Sequence, residues 1–346
     1  MRRISLGLAL AAALAASACR SQPADVGAAV RQSDLRFLPK ETAGLAVVEV
    51  ARFKDRQAVG RWLDDFTKEA GLTGGLDRVR AALGPDALDK LDRLSLALVP
   101  TAGTTGYAIV AEGRFDEKMV KNLTGNGLVT LVEVGTAPDL SVVALPANHL
   151  ALGPRAILEQ VRAAAGGTGA GAPGGLAEAP VMGVLRRVSP AKQIWGGIDY
   201  SVLTSLMGQE GQGTTAASPM SGFTRSLRGL AFQGTIDDSV EFDLVGVADG
   251  EPGAKSLADA ARGLVAIARV GASQGANRAA EGNAADPAVE SAKAWMRFLD
   301  GVSVAQSREE IRVHGLLDGA MAKSFAGAAT RAVPGAGAHP TDPGTR

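Results

Sequence analysis

Short strand-like segments and amphipathic segments follow one another along most of the chain. Residues 45–50 are typical of a strand, and Met119, Val120 and Leu123 lie at helical spacing behind the predicted N-cap Asp116. Pairs of strand-like runs joined by short connections predict four hairpins, at residues 95–99 with 106–114, 128–134 with 140–144, 229–236 with 240–248, and 302–306 with 311–317. Because short connections join antiparallel neighbours, we expect an α+β fold of mostly antiparallel sheets with helices on one face.

The same order of predicted elements occurs twice: strand, helices, hairpin, helix, hairpin, helix. Residues 35–47 resemble residues 185–198 at an offset of about 150 residues, which predicts two similar halves that arose by internal duplication. The predicted boundaries are a signal peptide at 1–18, a lipidated flexible tether at 19–34, a first α+β half at 35–165, a Gly-rich linker at 166–180, a second α+β half at 181–331 and a disordered tail at 332–346.

The helices of the second half are predicted from their apolar spacing and from prolines in their first turns. Pro252 opens a helix whose inward residues are predicted to be Leu257, Ala260, Ala261, Leu264 and Ile267. Residues 271–286 read as a polar insert, and Pro287 opens the next helix. We therefore expect the apolar face of the first helix to be buried along its length.

The amino terminus has the three parts of an export signal. Arg2 and Arg3 form a short positive region, residues 4–15 are apolar, and residues 16–18 are small. The apolar stretch is shorter than the ~20 residues that span a bilayer as a helix. The segment is therefore predicted to direct export and then to be removed.

The residues at the end of this signal, Ala16-Ser17-Ala18-Cys19, resemble the lipobox of bacterial lipoprotein precursors. The resemblance implies cleavage before Cys19, a diacylglycerol on its sulfur and an acyl chain such as palmitate on its amine. Arg20, at the position that sorts lipoproteins in diderm bacteria, implies the outer membrane, with the body facing the periplasm. The alternative is an ordinary small-x-small cleavage site and plain secretion. Cys19 is the one Cys in the chain, which favours lipidation.

Composition weakens several classes of function. The 346 residues carry 36 basic and 36 acidic side chains, and 4% of them are aromatic. Without Arg2 and Arg3 the mature chain has 34 basic against 36 acidic residues, a formal charge of −2. Nucleic-acid binding relies on basic excess and on aromatic stacking, so we expect no nucleic-acid partner.

Residues that catalysis and metal binding commonly use are scattered in this chain. The three His, at 149, 314 and 339, have no metal-ligand spacing, and His149 and His314 are predicted to be solvated on strands. Three pairs of identical adjacent carboxylates read as a solvated helix face or as hairpin turns: Asp64-Asp65, Asp237-Asp238 and Glu309-Glu310.

Two Gly-containing segments could be mistaken for phosphate loops. Residues 166–175 contain six Gly and one Pro, but a predicted helix precedes them and no Lys follows. Residues 253–256, Gly-Ala-Lys-Ser, lack the Gly that directly precedes Lys in a P-loop. We therefore expect no cofactor-binding, metal or catalytic site.

These features predict a non-catalytic, membrane-anchored lipoprotein of the cell envelope that binds or positions another envelope component. Two alternatives stay open. One is a carrier that encloses lipid or another lipophilic ligand in an apolar groove, and the other is an envelope hydrolase, which has cellular location alone in its favour.

Overall fold

The structure is a computed structural model that describes residues 25–53, 81, 83–84, 86–101, 104–125, 128–132, 140–166, 175–200, 226–237, 239–282 and 287–317. The signal peptide, Cys19, the pair Asp64-Asp65, His339 and the predicted tail lie outside these residues. The predictions made for those parts of the chain therefore remain predictions.

The described strands form one 11-stranded sheet in the order β10-β11-β9-β8-β7-β1-β2-β3-β6-β5-β4. Their bounds are Gly44–Val48 (β1), Leu91–Thr101 (β2), Thr104–Gly113 (β3), Leu128–Val132 (β4), Leu140–Ala144 (β5), Leu150–Gly153 (β6), Ile194–Asp199 (β7), Leu227–Ile236 (β8), Val240–Ala248 (β9), Ser303–Ser307 (β10) and Glu310–Leu317 (β11). The large antiparallel sheet and the mixed α+β class confirm the predicted fold class.

One described α-helix precedes β1, and the others lie between successive strands. They are Val26–Gln32 (α1), Ala87–Lys90 (α2), Glu117–Thr124 (α3), Arg155–Gly166 (α4), Met182–Leu185 (α5), Gly250–Gly282 (α6) and Pro287–Gly301 (α7). As predicted, the Asp116 side chain caps α3 by accepting hydrogen bonds from the amides of Lys118 and Met119.

Contacts divide the chain into two compact units. The first contains β1–β7, α1–α5 and Arg228–Gln233 of β8, and the second contains Gly234–Ile236, β9–β11, α6 and α7. The first unit thus includes α5 and β7, which belong to the second of the two predicted halves. The internal duplication stays a prediction.

Helices pack on both faces of the sheet in the first unit. Ile157 of α4 lies against Gly106, on the β3 face that also carries Ala108 and Val110. Val120 and Leu123 of α3 join the cluster on the opposite face, which contains Ile109, Ala111, Val142, Leu150 and Leu152. The expectation of helices on one face therefore does not describe this unit, because both faces of its strands are apolar and both are covered.

The amino-terminal segment of the described chain is a docked helix. Val26 and Val30 of α1 are buried, and so are Leu35 and Phe37 of the 3-10 turn Asp34–Phe37. The flexible tether predicted over residues 19–34 is therefore wrong for residues 25–34. The segment is rich in Ala, which suggested a tether, but Val26 and Val30 are four residues apart and therefore lie on one face of a helix.

The predicted linker at 166–180 is packed over its described part. Gly166 ends α4, Gly175 forms a β-bridge with Pro39, and Leu176 is fully buried. The linker prediction is therefore wrong for residues 175–180. A Gly-rich composition indicated flexibility, but a close backbone approach at Gly175 leaves little room for a side chain.

In the second unit the predicted polar insert at 271–286 is instead helical as far as Gly282, because α6 continues without a break from Gly250. Ala254, Leu257 and Ala258 of its first turns are buried, whereas Leu264 and Ile267 are exposed. Ala260 is exposed as well, so the inward orientation predicted for Ala260, Leu264 and Ile267 is wrong. Arg269 donates hydrogen bonds to the carbonyl of Leu299 in α7, so the face of α6 that carries Arg269 is turned toward α7.

Candidate functional site

Four charged side chains lie side by side across neighbouring strands of the first unit. Glu49 follows β1, Arg93 is near the start of β2, Glu112 is near the end of β3, and His149 directly precedes β6. Arg93 and Glu112 are paired in register. The flanking pairs Val48 with Leu94 and Ala111 with Leu150 place Glu49 beside Arg93 and His149 beside Glu112. We call Glu49, Arg93, Glu112 and His149 the charged row.

Arg93 joins the two carboxylates of the charged row. Its Nε donates to Glu49 Oε1 at 2.9 Å, and its Nη1 donates to Glu112 Oε2 at 3.0 Å. The indole Nε1 of Trp195, on β7, also donates to Glu49 Oε1, at 3.3 Å. These contacts tie β7, β1, β2 and β3 together through side chains at one end of the strands.

Asp34, from the 3-10 turn after α1, adds a third carboxylate to the charged row. Its backbone amide donates to Glu112 Oε1 at 3.1 Å, and its Oδ2 lies 2.7 Å from Nδ1 of His149. Asp34 is therefore fixed by its own amide and by its side chain. Both contacts attach the amino-terminal segment to the sheet.

The side chains of the charged row and of Asp34, which together we call the cluster, are largely buried. The side chains of Asp34 and Glu49 are 7% exposed, and those of Arg93 and His149 are 20% exposed. When the His149 ring is neutral, the charged row and Asp34 together carry three carboxylates and one guanidinium, that of Arg93. Because buried like charges repel strongly, a proton on His149 relieves the excess of negative charge.

The pKa values of the cluster follow from this arrangement. The hydrogen bond with Asp34 raises the pKa of His149, burial opposes the rise, and the charges of Asp34, Glu112 and Asp92 add to it. Burial raises the pKa of Glu112, Arg93 opposes that rise, and the charge of Asp34 adds to it. Burial would lower the pKa of Arg93, yet Glu112 and Glu49 raise it overall. The cluster therefore favours the imidazolium form of His149.

A pair of Asp and His is also part of many hydrolytic sites, where neutral histidine takes a proton from a nucleophile. An imidazolium has no lone pair with which to accept that proton. The raised pKa of His149 favours a proton on the ring beside Asp34, and the 2.7 Å contact between Asp34 Oδ2 and His149 Nδ1 is that of a charge-assisted hydrogen bond.

A second pair of His and Asp lies in the second unit. Nδ1 of His314, on β11, is 3.1 Å from Oδ1 of Asp243, on β9, and these two residues are paired in register. Because side chains alternate along β11, His314 lies on the face opposite Ile311, Val313 and Leu317. The side chain of His314 is 38% exposed and that of Asp243 is 13% exposed, so this pair is more open to water than the first, whose values are 20% and 7%.

The surface of the second unit carries an aliphatic stripe, which we define as Leu264, Ile267 and Val270 of α6. These side chains are 52%, 69% and 57% exposed. Gly263 and Gly271 share the same face, and a Cβ at either would meet no atom within 4 Å. The stripe is therefore an open apolar helix face with small residues beside it.

The remaining sequence candidates are placed in turns and helices. Asp237 begins the β8–β9 turn, as predicted, and Asp238 lies outside the described residues. Glu309 lies in the β10–β11 turn, whereas Glu310 is already the first residue of β11. The segment 253–256 is part of α6, and its Ala254 is fully buried, so its backbone does not form a phosphate loop.

Sequence reasoning did not find Asp34, Glu49, Arg93 and Glu112. It named His149 but predicted a solvated ring. A usable signal was present, because each of Glu49, Arg93, Glu112 and His149 stands at the end of an apolar strand. Their proximity depends on the strand order, which residue spacing does not reveal. Among the residues that the structure describes, no group of three His, Cys, Asp or Glu side chains is arranged to hold a metal ion, and no helix is long and apolar enough to cross a membrane.

Comparisons with known proteins give a distant structural likeness. No family model matches the chain, and no curated protein matches it. Among solved structures, crystal form I of TP0453 has 10% sequence identity and a TM-score of 0.36, over 86% of this chain and 97% of that one. Crystal form III has 9% identity and a TM-score of 0.37, over 85% of this chain and 97% of that one.

Proposed function

We propose that this protein is a non-catalytic lipoprotein of the cell envelope that binds another envelope protein through the aliphatic stripe of α6. The observation that carries the proposal is the exposure of Leu264, Ile267 and Val270 on one helix face. Clustered apolar exposure on a folded protein is a common mark of an interaction site. The amino-terminal signal and Cys19 support an anchored location for this surface.

The partner that fits the stripe is an apolar helix of another protein. Small residues beside the aliphatic ones allow a second helix to approach closely, and the spacing of the stripe matches a helix-in-groove contact. Helices that lie on membranes commonly carry Lys and Arg around their apolar face. In residues 263–276 the sole charged residue is Arg269, and its guanidinium already binds the Leu299 carbonyl and Asp300 in α7. Charge therefore favours a protein partner over anionic lipid.

The anchoring part of the proposal is tested by Cys19→Ala. Without the thiol no diacylglycerol can be attached, so we expect the variant to leave the membrane fraction and to lose labelling by a radioactive fatty acid. The matched control is Ser21→Ala, which alters a nearby residue and keeps the cysteine. Retention of the Cys19→Ala protein on membranes, with the label still present, would show that the lipobox interpretation is wrong.

The binding part is tested by photocrosslinking in living cells. A benzophenone side chain replaces Ile267 in one variant and Ala266, which is exposed on the same helix but off the stripe, in the control. We expect a crosslinked protein from position 267 alone, mapped by mass spectrometry to an apolar helix of the partner. Adding Leu264→Asp should abolish that crosslink, whereas Ala266→Asp should preserve it.

Other results of this experiment would contradict the proposal. Crosslinks to phospholipid in place of protein would assign the stripe to the membrane surface. Equal crosslinks from positions 266 and 267, or crosslinks that survive Leu264→Asp, would show that the stripe does not select a partner. Since Cys19→Ala tests anchoring separately, failure of the binding proposal leaves the lipoprotein proposal standing.

A further inference from the structure

We propose that Asp34 and His149 form a proton-controlled latch, which holds the amino-terminal segment 25–37 on the sheet while the ring is protonated and loosens it as the pH rises. The latch does not rest on the proposed function, because its residues lie in the first unit and none of them belongs to the stripe. If Cys19 carries lipid, the segment is the junction between anchor and body.

The geometry places the latch where it controls the segment. Ser33 ends α1 and caps the 3-10 turn that begins at Asp34, and Asp34 contacts Glu112 and His149 of the charged row. The distance of 2.7 Å between Asp34 Oδ2 and His149 Nδ1 is that of a strong, charge-assisted hydrogen bond. Protonation of His149 therefore changes the contact that joins the segment, through Asp34, to the charged row.

Charges from several strands face this contact. Glu112 of β3 accepts the Asp34 amide, Asp92 of β2 acts on His149 through its charge, and Arg93 of β2 compensates Glu112 and Glu49. When His149 loses its proton, Asp34 and Glu112 remain as neighbouring carboxylates with Arg93 as the sole cation of the cluster. Their repulsion then acts directly between the segment and β3.

The direction of the pH effect follows from the raised pKa of His149. A histidine with a higher pKa in the folded protein stabilises the fold fully below its unfolded value of about 6.5, and it loses that contribution as the pH rises through the folded value. Val30 and Leu35 are completely buried and stay as apolar attachments. The latch therefore alters how often the segment opens rather than detaching it outright.

Amide hydrogen exchange of the purified chain measures this opening. Protection factors correct for the intrinsic pH dependence of exchange and are compared at pH 6 and pH 9. Since a charged hydrogen bond is stronger than a neutral one, we expect protection of residues 26–37 to fall about tenfold between these values. The amides of α3 in the same unit serve as the internal reference.

Three variants make the test specific. His149→Gln should remove the pH dependence, and His149→Lys, which keeps a cation over the whole range, should hold protection high at pH 9. His314→Gln is the matched control and should behave as the wild type. A flat wild-type profile, or a pH dependence that survives in His149→Gln, would overturn the proposal.

An NMR titration of the wild-type histidine rings covers the case in which a variant does not fold. The ring signal of His149 should titrate with a midpoint above about 6.5. A midpoint at or below that value would equally overturn the latch.

Discussion

Two His–Asp pairs among the described residues use the same side chains on neighbouring elements, yet their surroundings differ. In the first unit, His149 and Asp34 are buried beside Glu112, Arg93 and Glu49. In the second unit, His314 and Asp243 face each other across β11 and β9, and the histidine is 38% exposed. The comparison separates the chemistry of the pair from the effect of its environment.

Burial and neighbouring charges, rather than the pair itself, give the first region its special behaviour. Water screens the charges of a partly exposed pair more than those of a buried one, so such contacts contribute less to stability. In the first region each charge has few water molecules to replace a lost partner. Removing a partner there should therefore cost much more than the matching change in the second unit.

The largest expected difference is between Arg93→Met and Arg312→Met. Loss of Arg93 leaves Glu49 and Glu112 buried without their shared cation, and we expect a loss of about 3–5 kcal/mol in the free energy of unfolding. Arg312 is exposed on β11, so its replacement should change stability by less than about 0.5 kcal/mol. Urea denaturation of both variants, followed by tryptophan fluorescence and by circular dichroism, measures the two values.

Arg93→Lys is a milder variant in case Arg93→Met does not fold. Lys retains the charge but cannot reach two carboxylates with a planar fork, so an intermediate loss is expected. Equal stabilities for the Arg93 and Arg312 variants would show that the charged row contributes no more than a surface pair.

A smaller difference is expected between Asp34→Ala and Asp243→Ala. Asp34 is 7% exposed and binds a ring whose pKa it raises, so its loss should cost about 2 kcal/mol below pH 6.5. This loss should shrink as the pH rises, because the wild-type pair is then no longer charged. Asp243→Ala should cost less, about 0.5–1 kcal/mol, because its partner His314 is 38% exposed and water can replace part of the lost contact.

Urea midpoints of the two Asp variants and the wild type at pH 6 and pH 9 measure this difference. A cost for Asp34→Ala that grows with pH would contradict the sign of the proposed linkage. A large cost for Asp243→Ala would mean that exposure does not explain the contrast between the pairs.

Much of the local structure was predictable from the sequence. The hairpins at β2–β3, β8–β9 and β10–β11 and the cap at Asp116 follow from alternation, turn residues and capping chemistry, which act over a few neighbours. The fourth predicted hairpin is present as β4 paired with β5, and the chain then reverses again so that β6 pairs with β5. A turn over Pro146–Asn148, with positive φ at Ala147 and Asn148, makes that reversal.

The candidate site was much less predictable than the strands. Asp34 and His149 are 115 residues apart, and Glu49 and Trp195 are 146 residues apart. No local rule relates side chains at such separations. The inward orientation predicted for Leu264 and Ile267 was wrong for a related reason. Helical spacing shows that a helix has an apolar face but does not show whether another element covers it.

The sequence by itself determined the α+β class and the hairpins, because these depend on neighbours along the chain, and it predicts an export signal that ends before Cys19. The tertiary structure decided which side chains meet. Strand order brought Glu49, Arg93, Glu112 and His149 into one buried row and left His314 partly exposed beside Asp243. The physical reason is that charge interactions depend on distance and burial, and both are set when distant segments pack together.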